Sequence, residues 1–172
     1  MTPADRNGQY RSAIGQDSHR FLTDTDWASN RNRQLILGGM NIPDERPLEG
    51  NSDADLLLHA LTNAISGVSG VNILGPVADQ MCLEELITDS SVYLKAAMDT
   101  LGEKCLVHVS ISVEARRPRL TPYIPAIKAR IAELVGLTPE DIGLTATSGE
   151  WLTSFGRGEG IAAICIVTVY CP

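Results

Sequence analysis

The order of apolar patterns along the chain predicts an α+β fold, with one sheet carrying helices on one face. Three observations predict it. Strand-like and helix-like segments are mixed without strict alternation. A ten-residue apolar run rich in Ile and Val, Ile161–Tyr170, reads as a central strand buried on both faces. Finally, 172 residues suit one domain, and area scaling has such a chain bury roughly 69% of its unfolded surface. The expected layout is a frayed tail over residues 1–10 and a single domain over 11–172.

Structured sequence begins with Arg11–Phe21, and the polar stretch Leu22–Arg33 reads as a loop. Gln34–Gly38 is a strand ending at Gly38-Gly39, and Asn41–Gly50, with two prolines, is loop. From about Ala54, Leu57, Leu58, Leu61, Ala64, Ile65 and Val68 recur at helical spacing. Ser52 or Asp53 is the expected N-cap, and Gly67 or Gly70 the end. Gly70–Ala78 is short and irregular. Glu84–Leu101 carries a second helical pattern stopped by Gly102. Cys105–Ala115 alternates, with Cys105, Val107, Val109, Ile111 and Val113 on one face. Thr121-Pro122 opens a third helix running to Gly136, and Ile142–Thr147 is a short strand.

Composition excludes whole classes of function. Fourteen basic against 21 acidic residues give a net charge of −7, the reverse of the basic field that nucleic-acid binding requires. No apolar run approaches the ~18–20 residues of a membrane span. The first residues lack the apolar stretch of a signal peptide, so a cytoplasmic location is expected. Cys82, Cys105, Cys165 and Cys171 form no C-x-x-C pair and read as apolar filler in strands.

Five constellations carry chemistry. In Asp17-x-His19 a strand points a carboxylate and an imidazole the same way, half of a transition-metal site or merely a solvated pair. In Asn51-Ser52-Asp53-Ala54-Asp55-x-x-x-His59, the residues Asp55, His59 and Asn63 form a polar stripe on a leucine-rich helix. Its N-terminus could seat a phosphate. Ala146-Thr147-Ser148-Gly149-Glu150 is a hydroxyl-rich turn that could cradle a nucleotide or be simply a loop. Gly156-Arg157-Gly158-Glu159-Gly160 suggests tight backbone packing or an ion pair at a chain–chain contact. Arg116-Arg117-Pro118-Arg119 is the one dense basic cluster, able to neutralise a polyphosphate or lie solvated.

Together, in this order, these segments resemble the zinc-dependent 2-C-methyl-D-erythritol 2,4-cyclodiphosphate synthases. Leu37-Gly38-Gly39-Met40-Asn41-Ile42-Pro43, Leu58-His59-Ala60-Leu61-Thr62 and Pro122-Tyr123-Ile124-Pro125 add to the match, which spans about residues 11–171. The resemblance implies a homotrimer with a ferredoxin-like βαββαβ core, sheets around a central axis and active sites between neighbouring subunits. Its catalytic residues would be Asp17, His19, His59 and Glu150. Asp17, His19 and His59 would hold zinc with one coordination position open. Glu150 would hold a second cation, Mg²⁺ or Mn²⁺.

Asn51, Ser52 and Asp53 would grip phosphate, with Asp55 and Gly75 also in contact with substrate. Arg119, Ala146, Thr147 and Ser148 would hold the cytidine phosphate, and Arg157 and Glu159 would line the trimer axis. The implied reaction cyclises 4-diphosphocytidyl-2-C-methyl-D-erythritol 2-phosphate and releases CMP. Two other readings fit the same residues. One is a related zinc enzyme for another nucleotide-linked substrate. The other is a non-catalytic trimer with an isoprenoid diphosphate in its central cavity.

The sequence also departs from that family. Asn51 stands where it has His, Asn63 where it has Asp, and Thr147-Ser148-Gly149-Glu150 where it has Thr-Thr-Thr-Glu. The Phe-Pro-Asp element is absent. Ile73 replaces an Asp that binds substrate hydroxyls, so Ile73→Asp is expected to lower KM if that pocket is merely weakened, and to change nothing if another residue has taken over the contact.

Overall fold

In a computed structural model describing residues 8–172, the principal sheet has four strands. These are β1 (Gln9–Arg20), β4 (Cys105–Glu114), β5 (Ile142–Thr147) and β6 (Gly160–Cys171), in the spatial order β1-β6-β4-β5. Strand β6 is antiparallel to both β1 and β4, while β4 and β5 are parallel. A parallel pair needs a crossover, and α5 (Ile124–Val135) supplies it. The principal sheet is therefore threaded β-α-β-α-β-β. This corrects the expected βαββαβ order, because β5 passes to β6 through a loop with no intervening α-helix.

The helices do cover one face. On it Ile161, Ala163, Cys165, Val167 and Val169 of β6 meet α2 (Leu56–Ser69), and the core is continuous there. The other face of β6 is open: Ile164 is 46% and Ile166 44% exposed, beside Ile14 at 64%. The unbroken apolar run is thus central but buried on one face only.

Helix α2 lies unusually close to β1. A Cβ built on Gly15 would stand 2.3 Å from both the Ala60 carbonyl oxygen and the Ala64 nitrogen. Both are backbone atoms with nowhere to move, so only glycine fits. Asp55, not Ser52 or Asp53, caps this helix. Its Oδ1 accepts from the Leu57 and Leu58 amides at 3.1 and 3.2 Å. The same carboxylate accepts from the Gly38 and Gly39 amides at 2.8 and 2.6 Å. Asp55 is 0% exposed; burial pushes its carboxyl upward while the Gly39, Gly38 and Leu58 amides oppose the shift. At the far end Gly70, at φ 81°, stops the helix as expected.

Several boundaries differ from the expectations. The tail expected over residues 1–10 lies outside the described residues through residue 7, and Gln9 and Tyr10 already pair in β1. The stretch read as loop at 22–33 contains a short helix, α1 (Asp24–Ser29), capped by Thr23. The Gly38-Gly39 turn closes a hairpin of β2 (Leu35–Leu37) and β3 (Met40–Ile42), so the expected loop begins as strand. Helix α3 (Pro76–Leu83) occupies part of the segment read as irregular, and Pro76 after Gly75 is a helix-start signal. Helix α4 (Ser90–Asp99) is shorter than its apolar pattern. Leu86 at φ 58° interrupts helical backbone before it, and Asp89 caps it.

In β4 a register shift between Leu106 and His108 exchanges faces. Leu106 is buried and Cys105 exposed, the reverse of the expected alternation. All four cysteines are free, and Cys82 lies in α3 rather than in a strand. No helix among the described residues is long and apolar enough to cross a membrane.

Asp55→Ala leaves four amides without their acceptor. It is expected to lower unfolding free energy in urea by at least about 3 kcal/mol, a lost cap plus stranded buried donors. Retention of wild-type stability would show that these bonds contribute nothing net.

Candidate metal centre

The centre grows from the close approach of α2 to β1. Residues 13, 15, 17 and 19 of β1 face the helix layer, so Asp17 and His19 point where His59, one turn into α2, projects back. Asp17 Oδ2 lies 2.9 Å from His19 Nε2 and 3.0 Å from His59 Nδ1. Their candidate ligand atoms fall within 4.8 Å of one another.

Hydrogen bonding on the outer side of each ring decides what fills the space between them. His19 Nδ1 sits 2.7 Å from the Glu49 carbonyl oxygen. A carbonyl only accepts, so Nδ1 carries the proton, and in neutral imidazole Nε2 is the lone pair. His19 Nε2 is buried and has no well-directed hydrogen-bond partner. His59 Nε2 lies 2.9 Å from Ser90 Oγ, whose own hydroxyl donates to Asp53 Oδ1. Ser90 Oγ therefore accepts from His59 Nε2–H, and His59 Nδ1 is left as a lone pair.

Asp17 Oδ2, His19 Nε2 and His59 Nδ1 are then three acceptors converging on one small volume. Extra protons or a cation must stand between them. Burial acts to raise the Asp17 carboxyl, but the hydrogen bonds and charges of His19 and His59 prevail and hold it well below its usual range. Burial likewise pushes His19 down, and Asp17 with the Glu49 carbonyl outweighs it, so the imidazole stays protonated to higher pH than usual. Two imidazole nitrogens and a carboxylate oxygen suit a divalent transition metal, zinc among them.

The triad opens on a cleft of about 420 Å³. Gly50, Asn51 and Ser52 form one wall, Asn63 of α2 another, and Gly75, Ala78, Asp79 and Cys82 bring α3 to the rim. Arg33 ties the 50–52 loop in place, donating to the Gly50 carbonyl at 2.7 Å and the Ser52 carbonyl at 2.9 Å. Asn63 donates to the Gln16 carbonyl at 3.1 Å.

Other expected residues lie elsewhere. Asp55 is spent wholly on backbone amides inside the protein and offers no oxygen to the cleft, which corrects its assignment to substrate. Ile73 is 5% exposed within the apolar core, so Ile73→Asp would bury a carboxylate instead of restoring a contact, and no fall in KM follows from it. Asp53 is turned toward Ser90, taking its amide at 3.1 Å as well as its hydroxyl.

Arg119, Ala146, Thr147, Ser148 and Glu150 are absent from the cleft wall. Glu150 Oε1 accepts from Ser148 Oγ at 2.8 Å in the turn after β5. Arg157 and Glu159 pair within the chain at 2.8 Å. The sheet register relates the two groups: Asp17 pairs with Ala163, Ala163 with Val113, and Val113 with Ala146. One row thus carries Asp17 at one edge and Ala146 at the other, three strand spacings or about 14 Å apart.

Sequence reasoning did not find Ser90, Asp79, Cys82 or Arg33. Asp89-Ser90 before an apolar periodic run is a helix-start signal that could have located Ser90. Arg33 carries no local signature, since its partners are carbonyls 17 and 19 residues away.

Fold and site together define a mixed α+β protein in which two imidazoles and one carboxylate converge as a candidate metal site. The YgbB family model matches residues 10–170. A 2-C-methyl-D-erythritol 2,4-cyclodiphosphate synthase from Chlamydia trachomatis is 43% identical over 165 residues, 94% of this chain and 90% of that protein. The Chlamydia muridarum enzyme of the same name is 42% identical over 166 residues, 95% and 90% of the two chains. Among solved structures, the bifunctional IspDF from Campylobacter jejuni superposes with a TM-score of 0.84 at 29% identity. That match covers 96% of this chain but 43% of the bifunctional one. A CDP-bound 2C-methyl-D-erythritol-2,4-cyclodiphosphate synthase gives 0.72 at 28% identity, covering 92% and 99%. This chain belongs to the YgbB family and is an enzyme of the cyclodiphosphate synthase type, which acts in isoprenoid biosynthesis.

Chelator-stripped protein is expected to take up one divalent ion per chain. His19→Ala and His59→Ala should each weaken uptake by more than ~100-fold, beyond the usual effect of an outer partner. Affinity should fall as pH drops through the raised His19 pKa, because the ion displaces that proton. Competition titrations with a chromophoric chelator at several pH values check this, and pH-independent binding would contradict it.

Proposed function

We propose that this enzyme cyclises 4-diphosphocytidyl-2-C-methyl-D-erythritol 2-phosphate to 2-C-methyl-D-erythritol 2,4-cyclodiphosphate and releases CMP, with zinc at Asp17, His19 and His59. The observation that carries the reading is the convergence of three lone pairs on one point beside a cleft. It is supported by full-length similarity to relatives bearing that activity. An oxygen of the 2-phosphate forms a bond to the β-phosphorus. The bond from that phosphorus to the oxygen bridging to CMP breaks, and CMP departs with the electron pair. The nucleophile is already anionic, so the chain need supply no general base.

The work falls to alignment and charge neutralisation. A divalent ion held by Asp17, His19 and His59 would supply Lewis-acid polarisation of a phosphoryl oxygen. Asn51 and Ser52, on the loop that Arg33 fixes, face the cleft beside the triad and would orient the diphosphate. Asp53 is assigned to this loop too, holding its far side through Ser90. Gly75 opens the α3 side of the cleft. Glu150 would hold a second cation, Mg²⁺ or Mn²⁺, that would neutralise diphosphate charge. Ala146, Thr147, Ser148 and Arg119 would grip the cytidine phosphate.

Ala146 sits about 14 Å from Asp17 across the sheet and none of this group lines the cleft, so these residues would serve the triad of a neighbouring copy. A homotrimer brings opposite sheet edges together in this way. The open face with Ile14, Ile164 and Ile166 supports such packing around a central axis, with Arg157 and Glu159 lining it. Catalysis in the cytoplasm and an isoprenoid diphosphate in the central cavity belong to the same reading.

Purified protein given the cytidylyl substrate is expected to release CMP, and chelation or His59→Ala should slow it by ~10³-fold or more, the several kcal/mol of a Lewis acid. CMP release unaffected by stripping the metal would remove the ion from the reaction. No release from fully loaded protein would remove the substrate assignment.

A further inference from the structure

Ser90 and Asp53 lie behind His59, on the side away from the cleft, and each is held more firmly than a loop contact would require. Ser90 is 0% exposed at the first turn of α4. Its hydroxyl donates to Asp53 Oδ1, and its amide donates to Asp53 Oδ2 at 3.1 Å. Asp53 is itself fixed: Oδ1 takes the Asp55 amide at 3.1 Å, and its own amide donates to the Thr88 carbonyl at 2.9 Å. The carboxylate is thus locked as an acceptor and orients the serine proton toward itself. What Ser90 then offers His59 is a lone pair, 2.9 Å from Nε2.

We propose that Ser90 and Asp53 are positioning residues for the metal centre, fixing His59 in the tautomer whose Nδ1 faces Asp17. The inference rests on the reading of Asp17, His19 and His59 as metal ligands. An imidazole alone in water divides its proton between both nitrogens. Burying Nε2–H against an acceptor selects one form and raises the basicity of the opposite nitrogen. His19 receives the same service from the Glu49 backbone carbonyl with the ring reversed, Nδ1 outward and Nε2 inward. His19 depends on a main-chain oxygen that no substitution can delete, whereas the His59 support is made of two side chains and can be tested.

The arrangement also joins the centre to the cleft wall. Asp53 follows Asn51 and Ser52 directly, so the segment that would hold phosphate is pinned at its far end by the residue that orients the His59 support. A shift of that segment and a rotation of the His59 ring are then mechanically connected through one hydroxyl.

The experiment measures zinc affinity of chelator-stripped chain by competition, with no substrate present. Long-range proton–nitrogen NMR of the histidine rings reads the tautomer. Ser90→Ala is expected to weaken zinc ~10–100-fold, the range of an outer-shell partner, and to mix the His59 tautomers. Asp53→Asn should shift both readouts the same way by less. The double variant should be no worse than Ser90→Ala alone, since the two act as one unit. Ser90→Thr, which keeps the hydroxyl, should restore most of the affinity. Thermal unfolding of the metal-free variants separates a general loss of fold, and where Ser90→Ala does not fold, Asp53→Asn decides. Zinc affinity within twofold of the parent in the folded variant, with His59 still a single tautomer, overturns the proposal. A parent chain that binds no zinc overturns instead the metal reading beneath it.

Discussion

The missing side chain at Gly15 lets helix α2 rest its backbone directly on strand β1, and the chemistry of the site depends on that contact. With any Cβ there, the Ala60 carbonyl and Ala64 nitrogen would be met at 2.3 Å, and the helix would have to lift. His59 would lift with it and leave Asp17, which it now approaches to 3.0 Å. A backbone constraint two residues before the metal-site carboxylate therefore sets the distance on which the convergence of lone pairs rests. The apolar packing of α2 supplies the force, because Leu57, Leu58, Leu61 and Ile65 are all buried against the sheet or neighbouring helices. Glycine supplies the permission to use it at such short range.

That force acts against a real electrostatic cost. Three acceptors within 4.8 Å of one another repel unless something positive lies between them. The fold tolerates the arrangement because each group is also anchored from outside: His19 by the Glu49 carbonyl, His59 by Ser90, and Asp17 by the pairing of its strand with β6. A preformed site of this kind could take a cation without first reorganising, and the cleft beside the 50–52 loop leaves it reachable from outside.

Much of this could be read from the chain in advance, and the failures have identifiable causes. The Asp17-x-His19 pair and the spacing around His59 are local patterns, and the structure brings them together. Strand β5, the end of α2 at Gly70 and the stop of α5 at Gly136 were legible because glycine and alternation act locally. Asp55 reads as a ligand from sequence because its acidity and its place beside Ser52 and Asp53 look like those of one. Only its four amide partners, two of them 16 and 17 residues back, show a buried structural role. In β6 the uniform apolar run concealed a one-sided burial, since Ile164 and Ile166 face away from the helices and stay nearly half exposed. In β4 one register shift inverted the faces of Cys105 and Leu106, which alternation alone cannot reveal. The threading of the sheet depended on a helix-free passage from β5 to β6, a matter of long-range pairing.

The bonds from Asp55 to Gly38 and Gly39 have a dynamic consequence. Amides at the tip of a two-stranded hairpin ordinarily trade hydrogen with solvent almost freely, since small hairpins open on their own. Here both donate to the fully buried carboxylate at the start of α2, so breaking these bonds requires that end of the helix to separate from the hairpin. The hairpin and the helix start thereby open and close as one cooperative unit, although 13 residues of chain lie between β3 and α2.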